Sequence, residues 1–382
     1  MDRDEMVGIL QALVRTNTSQ PGGNEAQLVR YIEERFAPFD AGLDKRVIAH
    51  GGTRASLVLR LGPDCPGGLA FVGHLDTVAA GDASKWTYPP FDGIEADGCV
   101  HGRGSLDMKA GVTAMVALGL AVLRDGRPLR KPLYLCFTAD EEKGGSGALA
   151  VRELHWLDRV DGIVVPEPSD NKIAIAEKGT FWLRFSVSGK LAHGSKPEAG
   201  VNAVEAAIRL ASCVKERLAT PLQHDLLGTQ TCAVTKLQGG LMTNIIPDSA
   251  VVEFDIRTLP AQDHAELTGR VEACMREMEA AFPGAAVRLE KPKDHVSVET
   301  KPGHPFVELV RSKVREAGLN DAVCGMTYFT DAGNLIPGTT TPFVIMGPGP
   351  EAMAHQVNEA IRIDDMVKAR DIYLKLTDAI CR

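Results

Sequence analysis

Aromatic side chains make up only 5% of the sequence, and no run of Lys or Arg interrupts a formal net charge of −8. Single-strand nucleic-acid binding needs aromatic platforms, and duplex or anionic-membrane binding needs a basic stripe, so neither partner is expected. The longest apolar stretch, about residues 111–123, falls short of the roughly 20 residues that span a bilayer. The N-terminus (MDRDEMVGILQALVRTNTSQ) carries acids where a secretory signal carries positive charge, and no cleavable apolar core is present beyond them. The eight cysteines are scattered without a CxxC pair, so they read as reduced core thiols rather than as disulfides or a thiolate metal site. HExxH is missing, GGSGA at 144–148 falls one residue short of a nucleophile elbow, and the proline between Gly347 and Gly349 removes a donor that a phosphate loop needs. A cytoplasmic globular protein is the expectation.

Hydrophobic residues at 44% and charged residues at 24% are enough to build sizeable cores, and 382 residues suggest two domains. Residues 5–15, 26–36 and 108–123 carry apolar side chains at helical spacing. Segments 55–61, 69–72, 133–138, 162–165 and 343–346 are short, largely apolar and read as strands. Strands without a polar face, separated by helices, predict a mostly parallel sheet covered by helices. The middle of the chain has another character. Residues 181–188 and 251–259 alternate apolar and polar, and two amphipathic helices are legible at 201–218 and 265–282. The order strand, helix, strand, strand, helix, strand resembles a ferredoxin-like α+β sandwich. After residue 294 the first character returns, with helices at 306–317 and 364–380. The expected organisation is an α/β catalytic domain, 1–177 and 295–382, interrupted by an inserted α+β lid or dimerisation domain at 178–294.

The functional signal lies at the carboxyl ends of the apolar strands. One strand runs into His74-Leu75-Asp76, a second into Asp140-Glu141-Glu142, a third into Pro166-Glu167-Pro168, and a fourth leads to His355. Ligands of open α/β sheets bind outside these strand ends. Two histidines and several carboxylates at that edge, with Asp107 at a helix start, suit a hydrolytic metal site. Imidazole and carboxylate without thiolate favour zinc. Taken alone, Asp107 reads as a helix cap and the Asp-Glu-Glu cluster as a solvated turn; their coincidence at four strand ends is what favours metal. His74 and Asp76 are two apart, so in extended chain they share a direction and Asp76 can steady the imidazole. Glu141 and Glu142 diverge, so one can ligate while the other serves as a base.

GHLDTV (73–78), GRGSLDMKAG (102–111), TADEE (138–142), PEPS (166–169), AHGSKPEAGVNA (192–203), NIIP (244–247), DIR (255–257) and HQVNE (355–359) together resemble the dinuclear zinc amidohydrolase and metallopeptidase family. That family includes acetylornithine deacetylase, succinyl-diaminopimelate desuccinylase, aminoacylase and glutamate carboxypeptidase. The resemblance implies two zinc ions per subunit, with cobalt as a candidate replacement. One ion is held by His74, Asp107 and Glu167, the other by Asp107, Glu142 and His355. It further implies Asp76 as the residue orienting His74, Glu141 as the general base acting on a water between the metals, and a cis peptide after Asp107. Glutamate rather than aspartate at 167 points to deacylases and carboxypeptidases, away from aminopeptidases.

The resemblance extends to the substrate. His193 corresponds to a histidine that reaches across a homodimer interface to the scissile carbonyl, or is a loop histidine. Asn244 is a polar group on the same path or a turn cap, and Arg257 a clamp for the substrate carboxylate or a surface ion pair. Gly333, in Thr330-Asp331-Ala332-Gly333, is expected to offer a backbone donor to that carboxylate, and Lys178 contacts an acyl carboxylate or caps a turn. The expected substrate is a small N-acyl amino acid. The alternatives are a carboxypeptidase or dipeptidase acting on short peptides, in the manner of glutamate carboxypeptidase, and a non-catalytic binding protein on the same fold.

Overall fold

Strands Leu69–His74, Leu133–Thr138, Gly162–Pro168 and Phe343–Gly347 are buried along their whole length, as continuously apolar sequence demands. They form the parallel centre of one sheet: Leu133–Thr138 pairs with Leu69–His74, which pairs with Gly162–Pro168, which pairs with Phe343–Gly347. The margins are antiparallel. Ala55–Leu61 lies against Leu133–Thr138 and carries Leu43–Ala49 outside it, while Ile173–Glu177 meets the other side through Ala174. The strand Leu43–Ala49 is not evident in the sequence, because its Asp44, Lys45 and Arg46 break the apolar pattern. Charged side chains on an edge strand discourage pairing with another chain.

The computed structural model describes residues 1–40 and 43–382. It divides into two units: Met1–Ile175 with Glu299–Gly325 and Thr330–Arg382, and Ala176–Val298 with Met326–Phe329. In the first unit, helix Lys109–Asp125 is apolar on nearly every side and almost wholly buried. Its Ala110 and Ala117 share a core with Met6, Leu10 and Val14 of helix Arg3–Arg15 and Met366 of helix Ile363–Cys381. Gly111 lets this helix approach strand Gly162–Pro168 closely, since a Cβ there would run into the Pro166 carbonyl oxygen.

The second unit is an antiparallel sheet in the spatial order Thr231–Gly239, Ser249–Thr258, Gly179–Ser188, Ala286–His295. Helices Ala203–Leu218 and His264–Ala281 complete the ferredoxin-like arrangement. Phe181, Leu183, Phe185 and Val187 alternate with half-exposed residues and pack with Leu210, Val214, Val271 and Met278 of the helices. One cysteine expectation is corrected here: Cys213 and Cys274, one on each helix, form a disulfide, and the other six cysteines are free. The two are 61 residues apart in sequence, and only the packing of the helices brings their Cα atoms to 5.7 Å. No helix among the described residues is long and apolar enough to cross a membrane.

Candidate active site

Parallel pairing brings the candidate ligands of the first unit to one edge. His74 is the last residue of its strand and lies in register with Thr138, just before Asp140, Glu141 and Glu142. Strand Gly162–Pro168 runs further than its apolar stretch, so Glu167 is in the strand itself, and Pro168 is in register with Gly347. Asp107 lies just ahead of helix Lys109–Asp125, and its peptide bond to Met108 is cis. His355 comes after a short 3₁₀ turn, Glu351–Met353, with a left-handed backbone at φ 63°.

These side chains fall into two groups that share Asp107. His74 Nε2 is 3.3 Å from Asp107 Oδ1 and 3.4 Å from Glu167 Oε1. On the other side, His355 Nε2 is 3.2 Å from Asp107 Oδ2 and 3.2 Å from Glu142 Oε1. Each imidazole nitrogen therefore faces two carboxylate oxygens from different segments. Zinc bonds of 2.0–2.1 Å to N and O in tetrahedral geometry put neighbouring donor atoms about 3.3 Å apart. The donor set and its spacing thus fit divalent metal ions. Ligand atoms of His74, Asp107 and Glu142 all lie within 4.8 Å of one another.

The electrostatics fit a cation-seeking site. Burial opposes a charge on His74, yet the Glu167 carboxylate and hydrogen bonds to Asp107 and Glu167 hold its pKa well above the usual imidazole value. Hydrogen bonds to Asp107 and Glu142 raise His355 to about 11. Burial pushes Glu167 up to about 8 despite the nearby His74. Burial also works against ionisation of Asp107, but its hydrogen bonds to His355 and His74 keep it far below the carboxylate range. Carboxylates packed this closely need positive charge between them, which a divalent ion supplies more fully than a proton.

Asp76 acts differently from the expectation. Its backbone carbonyl, not its carboxylate, is hydrogen-bonded to His74 Nδ1, at 2.9 Å; the nearest carboxylate oxygen is 3.7 Å away. The carboxylate instead accepts the backbone N–H groups of Glu141 at 3.1 Å and Glu142 at 3.2 Å, and Gln20 Nε2 at 3.0 Å. The chain turns back after Thr138, and Asp76 receives the donors that this turn exposes. Glu141, next in sequence to the candidate ligand Glu142, is buried.

Three residues near the site lie within the resembling motifs, yet the sequence alone assigns them no role. Glu359 is completely buried and accepts N–H groups from Arg103, Gly104, Leu106 and Asp107. Arg103 lies over the Trp86 ring. Lys109, also completely buried, donates to the carbonyls of Leu13 and Thr16, and burial lowers it to about 7. A charged residue with only buried or backbone partners looks, in sequence, like any surface charge.

Gly333 is corrected. It lies in the first unit, buried in the short helix Ala332–Leu335, and its N–H is committed to Thr330 O at 3.1 Å. The other substrate candidates lie in the second unit. His193 is exposed on a two-residue strand that pairs with Ile245–Ile246, and its Nδ1 contacts Ser195 Oγ at 2.8 Å. Asn244 is its neighbour across this pairing, accepting Gly194 N–H at 2.8 Å through its backbone carbonyl. Arg257 donates Nε and Nη2 to the two oxygens of Asp255, at 2.8 and 3.1 Å, and Nη1 to Thr180 Oγ1 at 3.1 Å. The ion pair holds Arg257 in place while leaving part of its guanidinium fork for another anion. Lys178 donates to the Thr229 carbonyl, and burial lowers its pKa.

A sequence profile of peptidase family M20/M25/M40 matches residues 70–379. The chain belongs to this family. The M20 protein is 27% identical to a probable succinyl-diaminopimelate desuccinylase from Staphylococcus epidermidis, an alignment covering 98% of this chain and 97% of that one. Among solved structures it is similar in fold to an M20 metallo-carboxypeptidase from Sulfolobus solfataricus, at 16% identity and a TM-score of 0.79, covering 99% of both chains. It is also similar to a dinuclear metal-binding M20 peptidase from Bacillus subtilis, at 14% identity and a TM-score of 0.71, covering 98% of this chain and 97% of that one. The protein is an M20 metallohydrolase, and M20 metallopeptidases are dinuclear metal enzymes.

Proposed function

We propose that this M20 protein hydrolyses the amide bond of a small N-acyl amino acid, with two zinc ions per subunit, as a cytoplasmic homodimer. The observation that carries the reading is the sharing of Asp107 between two imidazole–carboxylate groups, with Glu141 beside them. His74, Asp107 and Glu167 would hold one ion, and Asp107, Glu142 and His355 the other. Bound there, the ions supply Lewis acidity to the scissile carbonyl and to water. Glu141 accepts a proton from the water that adds to the carbonyl carbon. As the C–N bond breaks, Glu141 returns that proton to the leaving nitrogen, giving a carboxylic acid and a free amine. Asp76 sets the position of Glu141 through the backbone. In the second unit, Arg257 is the candidate holder of the substrate carboxylate, with His193 and Asn244 as further polar contacts.

Similarity to a probable desuccinylase along nearly the whole chain favours acyl amino acids, with acetylornithine-like and succinyl-diaminopimelate-like compounds as first candidates, whereas glutamate at position 167 suits deacylases and carboxypeptidases alike. Fold similarity to a metallo-carboxypeptidase supports the second reading, release of an amino acid from a dipeptide or short peptide. One screen separates them. The metal-loaded protein is assayed for amine release from acetyl, succinyl and formyl amino acids and from dipeptides. Higher kcat/KM on an acyl amino acid is the expected result, and faster cleavage of dipeptides replaces it with the peptidase reading.

A further inference from the structure

We propose that Glu359 is the positioning residue for the bridging Asp107, holding it where one carboxylate can serve both metal ions. The inference rests on the dinuclear reading and assigns a role to a residue that is not itself a ligand. Glu359 Oε1 accepts Leu106 N–H at 2.9 Å and Asp107 N–H at 3.0 Å. Its Oε2 accepts Gly104 N–H at 3.1 Å and Arg103 Nη1. With two donors on each oxygen and no exposure to water, this carboxylate has no lone pair left over for an ion.

The same four bonds fix the path of the chain into Asp107. Residues 102–107 wrap around the Glu359 carboxylate, and the loop is anchored behind it. Gly102 N–H donates to the Glu359 carbonyl at 2.9 Å, and strand Ala360–Arg362 pairs with Cys99–His101. Gly104 takes φ +77°, and a Cβ there would collide with Thr77. Arg103 reaches the other arm of the site, donating Nη2 to the His355 carbonyl at 3.4 Å. Glu359 lies four residues after His355, so one buried ion pair ties the segment of the bridging ligand to the segment of a terminal ligand. Outer partners of metal ligands typically change affinity 10- to 100-fold when removed. Here the partner acts on the ligand common to both ions, so both should weaken together.

Glu359→Gln tests this. Glutamine keeps the size but turns an NH₂ toward two N–H donors, so one side of the cradle is lost. The full-length protein is stripped with chelator and titrated with cobalt(II), following heat and the visible absorption of the bound ion, with circular dichroism confirming the fold. Wild type is expected to bind two ions; if it does not, the dinuclear reading fails on its own. Folded E359Q is expected to bind both ions about 10- to 100-fold more weakly with an altered cobalt spectrum. A purely structural role lowers the melting temperature and leaves affinity and spectrum unchanged. Wild-type affinity in E359Q, or weakening of one ion only, overturns the proposal. Should E359Q not fold, Arg103→Gln decides by the same titration: it keeps the three backbone bonds and is expected to weaken both ions several-fold, and unchanged binding overturns the proposal.

Discussion

The carboxylate of Asp76 holds the backbone of Glu141, accepting its N–H at 3.1 Å. The imidazole of His74 is fixed separately, by the Asp76 carbonyl. Replacing Asp76 with Ala should therefore damage the proposed base more than the metal. We expect kcat to fall about 10- to 100-fold, as for other outer partners in metal sites, with cobalt(II) affinity less affected. Steady-state kinetics beside a cobalt titration on one preparation separates the two effects.

Glu141→Gln removes the proton acceptor while preserving shape. Loss of a general base typically costs 10²- to 10⁴-fold, and the drop should be in kcat, with KM and metal uptake near wild type. Full turnover in a metal-loaded E141Q protein would remove Glu141 from the chemistry.

The partition of donors around Asp107 predicts unequal consequences for the ligands. Glu167→Ala and Glu142→Ala should each lose one ion, because Glu167 contacts His74 and Glu142 contacts His355. Asp107→Ala should lose both. Metal analysis of desalted protein gives the stoichiometry, and one ion retained in D107A would contradict the bridging arrangement.

In the second unit, Asp294 accepts from His264 Nδ1 at 2.6 Å, and His264 Nε2 meets Thr258 Oγ1 at 2.8 Å. The line resembles a hydrolase triad, but Thr258 is completely buried, so its role is to join strand, helix and strand. Hydrogen bonds to His264 and Lys291 lower Asp294 to about 2. A carboxyl group depressed by folding adds stability above its unfolded value of about 4 and loses it as the pH falls toward that of the native group. Urea midpoints should show wild type more stable than Asp294→Asn from pH 6 to 5, with the gap closing between about pH 4 and 2. A gap that stays constant over this range would exclude the ionised pair as its source.

The sequence is most legible where the parallel sheet ends. His74, Glu142, Glu167 and His355 stand out because they follow apolar strands, with Asp107 at a helix start, and their division between two ions comes through motif resemblance. The roles of Glu359 and Lys109 are not legible, because apart from Arg103 their partners are main-chain groups that any residue type would offer. The Cys213–Cys274 bridge depends on helix packing, and strand Leu43–Ala49 is hidden by its edge charges. The spacing of His74 and Asp76 shows that the two cooperate, but not that the carbonyl does what the carboxylate was expected to do.

Lys109 gives the first helix a share in a site it does not line. Its amino group, two positions past Asp107, donates to the carbonyls of Leu13 and Thr16. A chain trimmed to start at the strand of His74 would keep all five candidate ligands and leave that nitrogen in the core with neither carbonyl nor water. Arg3–Arg15 is thus a buttress for the Asp107 segment, and the folded body that presents the candidate ligands is longer than the span from the first of them to the last.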